Sequence, residues 1–114
     1  MTDERSSTAQ SPTVRDAADR YEIRLGDELA GFTEYLDQGG QRIFFHTEID
    51  DRFAGQGLAG ILVHEALTAT VAAGKRIVPI CPYVAKYLGK HDDFAACVDP
   101  VTPAALEAVR SARQ

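Results

Sequence analysis

Hydrophobic positions along this chain change period in an order that outlines a fold. Tyr21, Ile23 and Leu25 alternate with charged residues, Gly26-Asp27 is a turn signal, and a second alternating run covers residues 29–36. That is the pattern of a β-hairpin. A further turn, Gln38-Gly39-Gly40-Gln41, leads into residues 42–49, the most apolar of the three runs. Short turns between neighbouring strands predict an antiparallel meander. From Gly57 to Ala73 the period lengthens: Leu58, Ile61, Leu62, Val63, Ala66, Leu67, Ala69 and Val71 leave His64, Glu65 and Thr68 on one narrow side. A stripe that wide predicts a helix lying flat on the sheet. Gly74 suits a left-handed cap and Lys75 faces the negative end of the dipole. Residues 76–81 then form a short strand, reached through a helix and so parallel to the strand before it. Pro79 cannot donate to a ladder, which predicts a sheet edge or a local gap there. Pro82 at a first helical position predicts a helix to about His91. Thr102 as cap, Pro103 behind it and Glu107 signal the last helix.

Together these elements make one α/β domain over residues 20–114. Residues 1–19, polar and with almost no large apolar side chains, are expected to be a disordered tail. A chain of 114 residues supports one core and one site. Its 45% hydrophobic and 25% charged residues are those of an ordinary globular protein, and no run approaches a membrane span. The opening Met-Thr-Asp-Glu-Arg-Ser-Ser has no apolar segment behind it, so the expected location is the cytoplasm, with no membrane partner. Cys81 and Cys97 then read as free thiols. With His46, His64 and His91 they show no paired ligand spacing, so no metal is expected. A net charge of −5 argues against a nucleic-acid backbone and weakly favours a cationic partner.

The most informative segment is Arg52-Phe53-Ala54-Gly55-Gln56-Gly57-Leu58-Ala59-Gly60, where the apolar strand hands over to the long helix. Helix-opening amides lack intrahelical partners and the helix dipole adds positive potential, so such a junction holds phosphate by main chain. Gly55-x-Gly57-x-x-Gly60 matches a dinucleotide fingerprint, but the acid that should follow about 20 residues on is missing from Val78-Pro79-Ile80-Cys81-Pro82. The antiparallel opening also disagrees with a doubly wound sheet. A P-loop is excluded because no Gly-Lys-Ser/Thr follows.

His46-Thr47-Glu48-Ile49, Gly55-Gln56-Gly57-Leu58-Ala59, Val78-Pro79-Ile80-Cys81-Pro82-Tyr83-Val84 and His91, in that order, resemble the minimal, YjdJ-type branch of the GNAT superfamily of N-acetyltransferases. The resemblance covers roughly residues 21–95. It implies a GNAT-like fold: a three-strand antiparallel meander, a helix, a parallel strand and C-terminal helices. It also implies acetyl-CoA as cosubstrate, an amine acceptor that is a small molecule or a protein, and pyrophosphate contacts from Gly55, Gln56, Gly57, Leu58, Ala59 and Gly60, with Ile49 at the strand end. Two registers fit the family's Arg/Gln-x-x-Gly-x-Gly/Ala loop, starting at Arg52 or at Ala54. The second sets the glycines better against the helix. A wedge between the two central parallel strands, which the family uses for the pantetheine arm, would suit Pro79.

Acetyl transfer needs a neutral amine, a polarised carbonyl and a proton for the leaving thiolate. Strict alternation puts Phe44, His46 and Glu48 on one face of their strand and Ile43, Phe45, Thr47 and Ile49 on the other. His46 and Glu48 would then lie about 6.5–7 Å apart, either able to take the amine proton. The competing reading is a core histidine and a solvated strand end. Cys81 is a candidate for an acetyl-cysteine route, against an inert buried thiol. Tyr83, Tyr87 and His91 share a helix face, with Tyr87 or Tyr83 as the proton donor and simple packing as the alternative. Lys86 and Lys90 could meet coenzyme phosphates or only face solvent. The alternative function is a non-catalytic coenzyme A-binding or small interaction module.

Overall fold

A computed structural model describes residues 11–113. One sheet contains β1 (Thr13–Asp16), β2 (Arg20–Leu25), β3 (Glu28–Gln38), β4 (Gln41–Ile49) and β5 (Arg76–Pro79), in that spatial order. The first four pair antiparallel, and β5 joins β4 in parallel. Helices α1 (Leu58–Ala72) and α2 (Pro82–Lys90) cover one face, and α3 (Pro103–Ala112) packs on Ile43 and Val78 of the other. The meander, the parallel return and the helices are those expected from the periodicity, and β5 with Pro79 is a sheet edge. Among the described residues no helix is long and apolar enough to cross a membrane.

Part of the polar stretch assigned to a tail forms structure. Thr13–Asp16 pairs along β2, an edge position that asks little more of the side chains than Val14 against the core. Asp16 anchors it, accepting from the Tyr35 hydroxyl at 2.6 Å and from the Ala18 amide at 2.9 Å. The first ten residues of the expected tail lie outside the described residues.

The faces of β4 differ from strict alternation. Glu34 pairs with His46 but Tyr35 pairs with Phe44, so Phe45 is an extra residue in β4. A bulge of this kind inverts the facing of everything beyond it. Phe44, Thr47 and Ile49 consequently point to the α1 side, where Thr47 Oγ1 meets Thr33 Oγ1 at 2.8 Å. His46 and Glu48 share the opposite face with Ile43 and Phe45. The expected grouping of Phe44 with His46 and Glu48 is therefore wrong, although the two polar residues do stay together. Opposite Ile49 sits Gly31, where a Cβ would come within 2.5 Å of the Glu48 carbonyl oxygen.

Helix α1 buries Leu58, Leu62, Val63, Ala66, Leu67 and Thr70, while Ile61 stays 39% exposed. The buried stripe is narrower than expected because α1 lies on the sheet along one side only. Gly74, at φ 76°, ends the helix as its left-handed cap. The core also holds a cation that the hydrophobic pattern hides: Arg42 is 7% exposed, donates to both Asp37 oxygens at 2.7 and 2.9 Å and to Tyr21 Oη at 2.6 Å, and stacks on Tyr35. At the sheet's far edge Val98 bridges Ile77, and Asp99 accepts from Gln41 of β4 and Arg76 of β5. That tie closes one end of the β4–β5 pair.

Candidate functional site

The other end of that pair opens. Its ladder ends at Phe44 and Pro79, with one further bond from the Cys81 amide to the Phe44 carbonyl at 2.9 Å. Beyond it the rest of β4, Phe45 to Ile49, runs without β5 beside it. Pro79, which has no amide hydrogen, is the last residue of β5. The strand thus stops at the residue least able to extend the ladder.

At the open end, β4 passes through a short 3-10 turn at Asp51–Phe53 into the glycine loop. Gly55 and Gly57 adopt φ of 82° and 75°, conformations that side chains other than glycine rarely take. Gly57 is the N-cap of α1 and supplies no side-chain cap. The first amides of α1, at Leu58, Ala59 and Gly60, therefore have no partner in the helix. A Cβ built on Gly55, Gly57 or Gly60 would meet nothing within 4 Å, so the loop's surface is clear of neighbouring atoms. An opening of about 230 Å³ lies against it, lined by Ile49, Gly55, Gly57, Leu58, Ala59 and Tyr83 among others. Five of the seven residues expected to hold the coenzyme line this one opening; Gly60 lines the adjoining groove, and Gln56 is exposed on the loop between the glycines.

That groove, about 320 Å³, runs between α1 and α2 past Gly60, Tyr83, Lys86, Tyr87, Lys90 and His91. Here Tyr87 Oη lies 2.9 Å from Nδ1 of His64, and its ring stacks on His91 at 4.2 Å between centroids. Burial, helped by the negative charge of Asp93, raises the Tyr87 phenol above its ordinary value. It thus stays protonated through neutral pH. Tyr83 is 49% exposed and lines both openings. Sequence reasoning left His64 on the helix's polar side. Its partner is 23 residues away on another helix, and no local pattern links the two.

On the opposite face, His46 Nε2 and Glu48 Oε2 are 2.7 Å apart, close enough for a charge-assisted bond. That is much shorter than the spacing of their backbones, because both side chains lean together on the exposed surface. Phe32, directly opposite Glu48, packs its ring 6.1 Å from the imidazole. Cys81 is placed differently: it is 1% exposed, with Sγ 3.1 Å from Thr47 Oγ1, inside the core and beside the strand opening. The site residues therefore fall in three places: the loop and groove, the exposed His46–Glu48 pair, and the buried thiol between them. Among the described residues no cluster of three or more His, Cys, Asp or Glu side chains could hold a metal ion.

Comparison with known proteins bears on this arrangement. A family model described as GCN5-related N-acetyl-transferase matches residues 20–97, more than half of the chain. No curated protein matches the sequence significantly. Among solved structures, a GCN5-like candidate N-acetyltransferase from Staphylococcus aureus, determined by NMR in solution, superposes with a TM-score of 0.61 over 80% of this chain and 91% of that one, at 15% identity. At that identity the likeness is one of fold.

Proposed function

Because the chain belongs to the GCN5-related N-acetyltransferase family, we propose that it binds acetyl-CoA and transfers the acetyl group to an amine. The observation that carries this reading is the junction of three uncapped amides, at Leu58, Ala59 and Gly60, with the parting of β4 and β5 beyond Phe44 and Pro79. The residues suit the coenzyme chemically. Main-chain amides at a helix N-terminus hold a pyrophosphate, and Lys86 and Lys90 along the groove can meet its remaining phosphate. When bound, acetyl-CoA supplies the acetyl group as a thioester.

The chain's own residues account for the proton movements. Glu48 accepts the Nε2 hydrogen of His46 and so selects the tautomer whose Nδ1 lone pair is open. At Nδ1, His46 takes the proton of the attacking amine as the new C–N bond forms and the C–S bond breaks. The proton for the leaving sulfur comes from α2, where Tyr87 is held by His64 and Tyr83 stands exposed over both openings. Transfer is direct, since Cys81 is packed and bonded to Thr47 rather than presented to solvent.

Calorimetry of the protein with acetyl-CoA, and with NAD as control, tests the binding half. Saturable binding of acetyl-CoA alone is expected, and its absence overturns the reading. For turnover, His46→Gln should lower kcat by about 10²–10⁴-fold while leaving the acetyl-CoA Kd unchanged. Cys81→Ala should retain activity, and its loss would restore the acetyl-cysteine route. Binding without transfer to any amine would make the chain a coenzyme-binding or interaction module.

A further inference from the structure

We propose that a cavity on the α3 side of the sheet receives the acceptor, and that the acceptor is a small amine carrying its own carboxylate, an amino acid being the simplest case. This rests on the acetyl-transfer reading and names its second substrate. The cavity, about 400 Å³, is lined by Asp19, Glu34, Phe45 and Arg113 among others, a size that suits a small molecule.

Its position ties it to the base. Glu34 is the cross-strand partner of His46, and Phe45 is the extra residue that turns His46 to this face. Side chains directly opposite on one face of an antiparallel pair are neighbours. The cavity thus adjoins His46 through both strands, on the side of the sheet away from α1 and α2. Without the bulge, His46 would face the core and the cavity would have no base beside it.

The lining carries both signs of charge. Glu34 is an acid of β3 and Asp19 an acid of the turn before β2, and Arg113, just beyond the end of α3, lays its guanidinium over the Phe45 ring at 5.5 Å. An ammonium beside Glu34 and a carboxylate on Arg113 would satisfy both. A polycation would meet Arg113 unfavourably, and a dicarboxylate would meet Asp19 and Glu34. A guanidinium set over an aromatic ring still has N–H groups to offer for bidentate carboxylate recognition.

Asp19 and Arg113 both fall outside the residues 20–97 that match the family. The coenzyme loop lies inside that span. This division fits a shared cosubstrate and an acceptor selected by the chain's own additions, the turn before β2 and helix α3.

The test titrates pooled common amino acids, their decarboxylated amines and a lysine-containing peptide into the isotope-labelled protein, and assays each for thiol release from acetyl-CoA. Amino acids are expected to shift the amide signals of Glu34, Phe45 and Arg113 and to be acetylated. Decarboxylated analogues should bind about tenfold more weakly or worse. Arg113→Gln should raise the amino-acid KM by a similar factor, with the acetyl-CoA Kd and the KM for a decarboxylated amine unchanged. Equal or better binding of decarboxylated amines or the peptide, shifts elsewhere, or an Arg113→Gln variant with wild-type acceptor KM would overturn the proposal. Amino-acid binding at the cavity with no thiol release would uphold the pocket and remove the transfer reading instead.

Discussion

Phe45 and Gly31 set the geometry of the exposed pair from opposite strands. Phe45 adds a residue to β4, which turns His46 and Glu48 away from the core. Gly31 lets the end of β4 lie close, since a Cβ there would come within 2.5 Å of both the Glu48 carbonyl and the Ile49 side chain. One of the two obstacles is backbone, so a methyl group cannot be absorbed by a rotamer change alone. Gly31→Ala is therefore expected to destabilise the fold by about 1–3 kcal/mol in urea unfolding and to displace Glu48 from His46. An NMR titration of the His46 ring would read the second effect as a change from wild type; an unaltered titration and an unaltered urea midpoint would show that β4 yields there freely. The bulge itself was not legible. A strand's period of two is read by counting, and one inserted residue is invisible until the partner's register is known. Arg42 was hidden for a related reason: its partners Tyr21, Tyr35 and Asp37 come from two neighbouring strands.

Among the elements, α1 was the most legible, because its apolar spacing, Gly57 before it and Gly74 after it agree on one answer. The two glycines near its start nevertheless have different jobs. Gly57 holds φ 75° at the N-cap, whereas Gly60 lies within α1 with no positive φ. Gly57→Ala should thus cost about 1 kcal/mol through left-handed strain. Gly60→Ala should instead stabilise by about 0.5–1 kcal/mol, as expected for alanine in a helix. Thermal unfolding of the two variants should move in opposite directions; the same sign for both would mean that the loop relaxes around either. Edge elements were the least legible. Thr13–Asp16 is held by backbone pairing and one Asp16 contact to Tyr35, neither of which leaves a hydrophobic pattern to read. His64 and Tyr87 likewise meet only because α1 and α2 pack together.

At the scale of the whole molecule, carboxylates tied to arginines set the pH range of stability. Hydrogen bonds from Arg42 hold Asp37 below its ordinary value of 3.8. Bonds from Gln41 and Arg76 do the same for Asp99, whose ordinary value is also 3.8, and bonds from Arg20 and Arg24 for Glu22, ordinarily 4.5. Lowered groups contribute fully above their unfolded values and lose that contribution as pH falls through the folded ones. The urea midpoint should accordingly be flat from neutrality down to about pH 5 and drop below about pH 4. Tyr35 acts at the other limit: burial, then its bond to Asp16, raises it above 10.0. Its share is present below that pH and fades as pH rises through the higher folded value. A midpoint that already falls between pH 7 and pH 5 would show that these carboxylates do not set the acid limit.

The strap at Val98 and Asp99 has a consequence for how the protein behaves in company. A sheet offers foreign strands two borders to extend. Here one is overlaid by Val98 on Ile77, with the Asp99 amide bonded to the Ile77 carbonyl at 2.8 Å. The other is the four-residue β1, carrying Arg15 and Asp16. Short, charged or covered borders resist edge-to-edge growth. The unpaired stretch of β4, Phe45 to Ile49, is only five residues long, is already paired to β3 on its other side and lies under α1 on one face. The opening between β4 and β5 can thus remain receptive to a slender chain while being closed to another sheet.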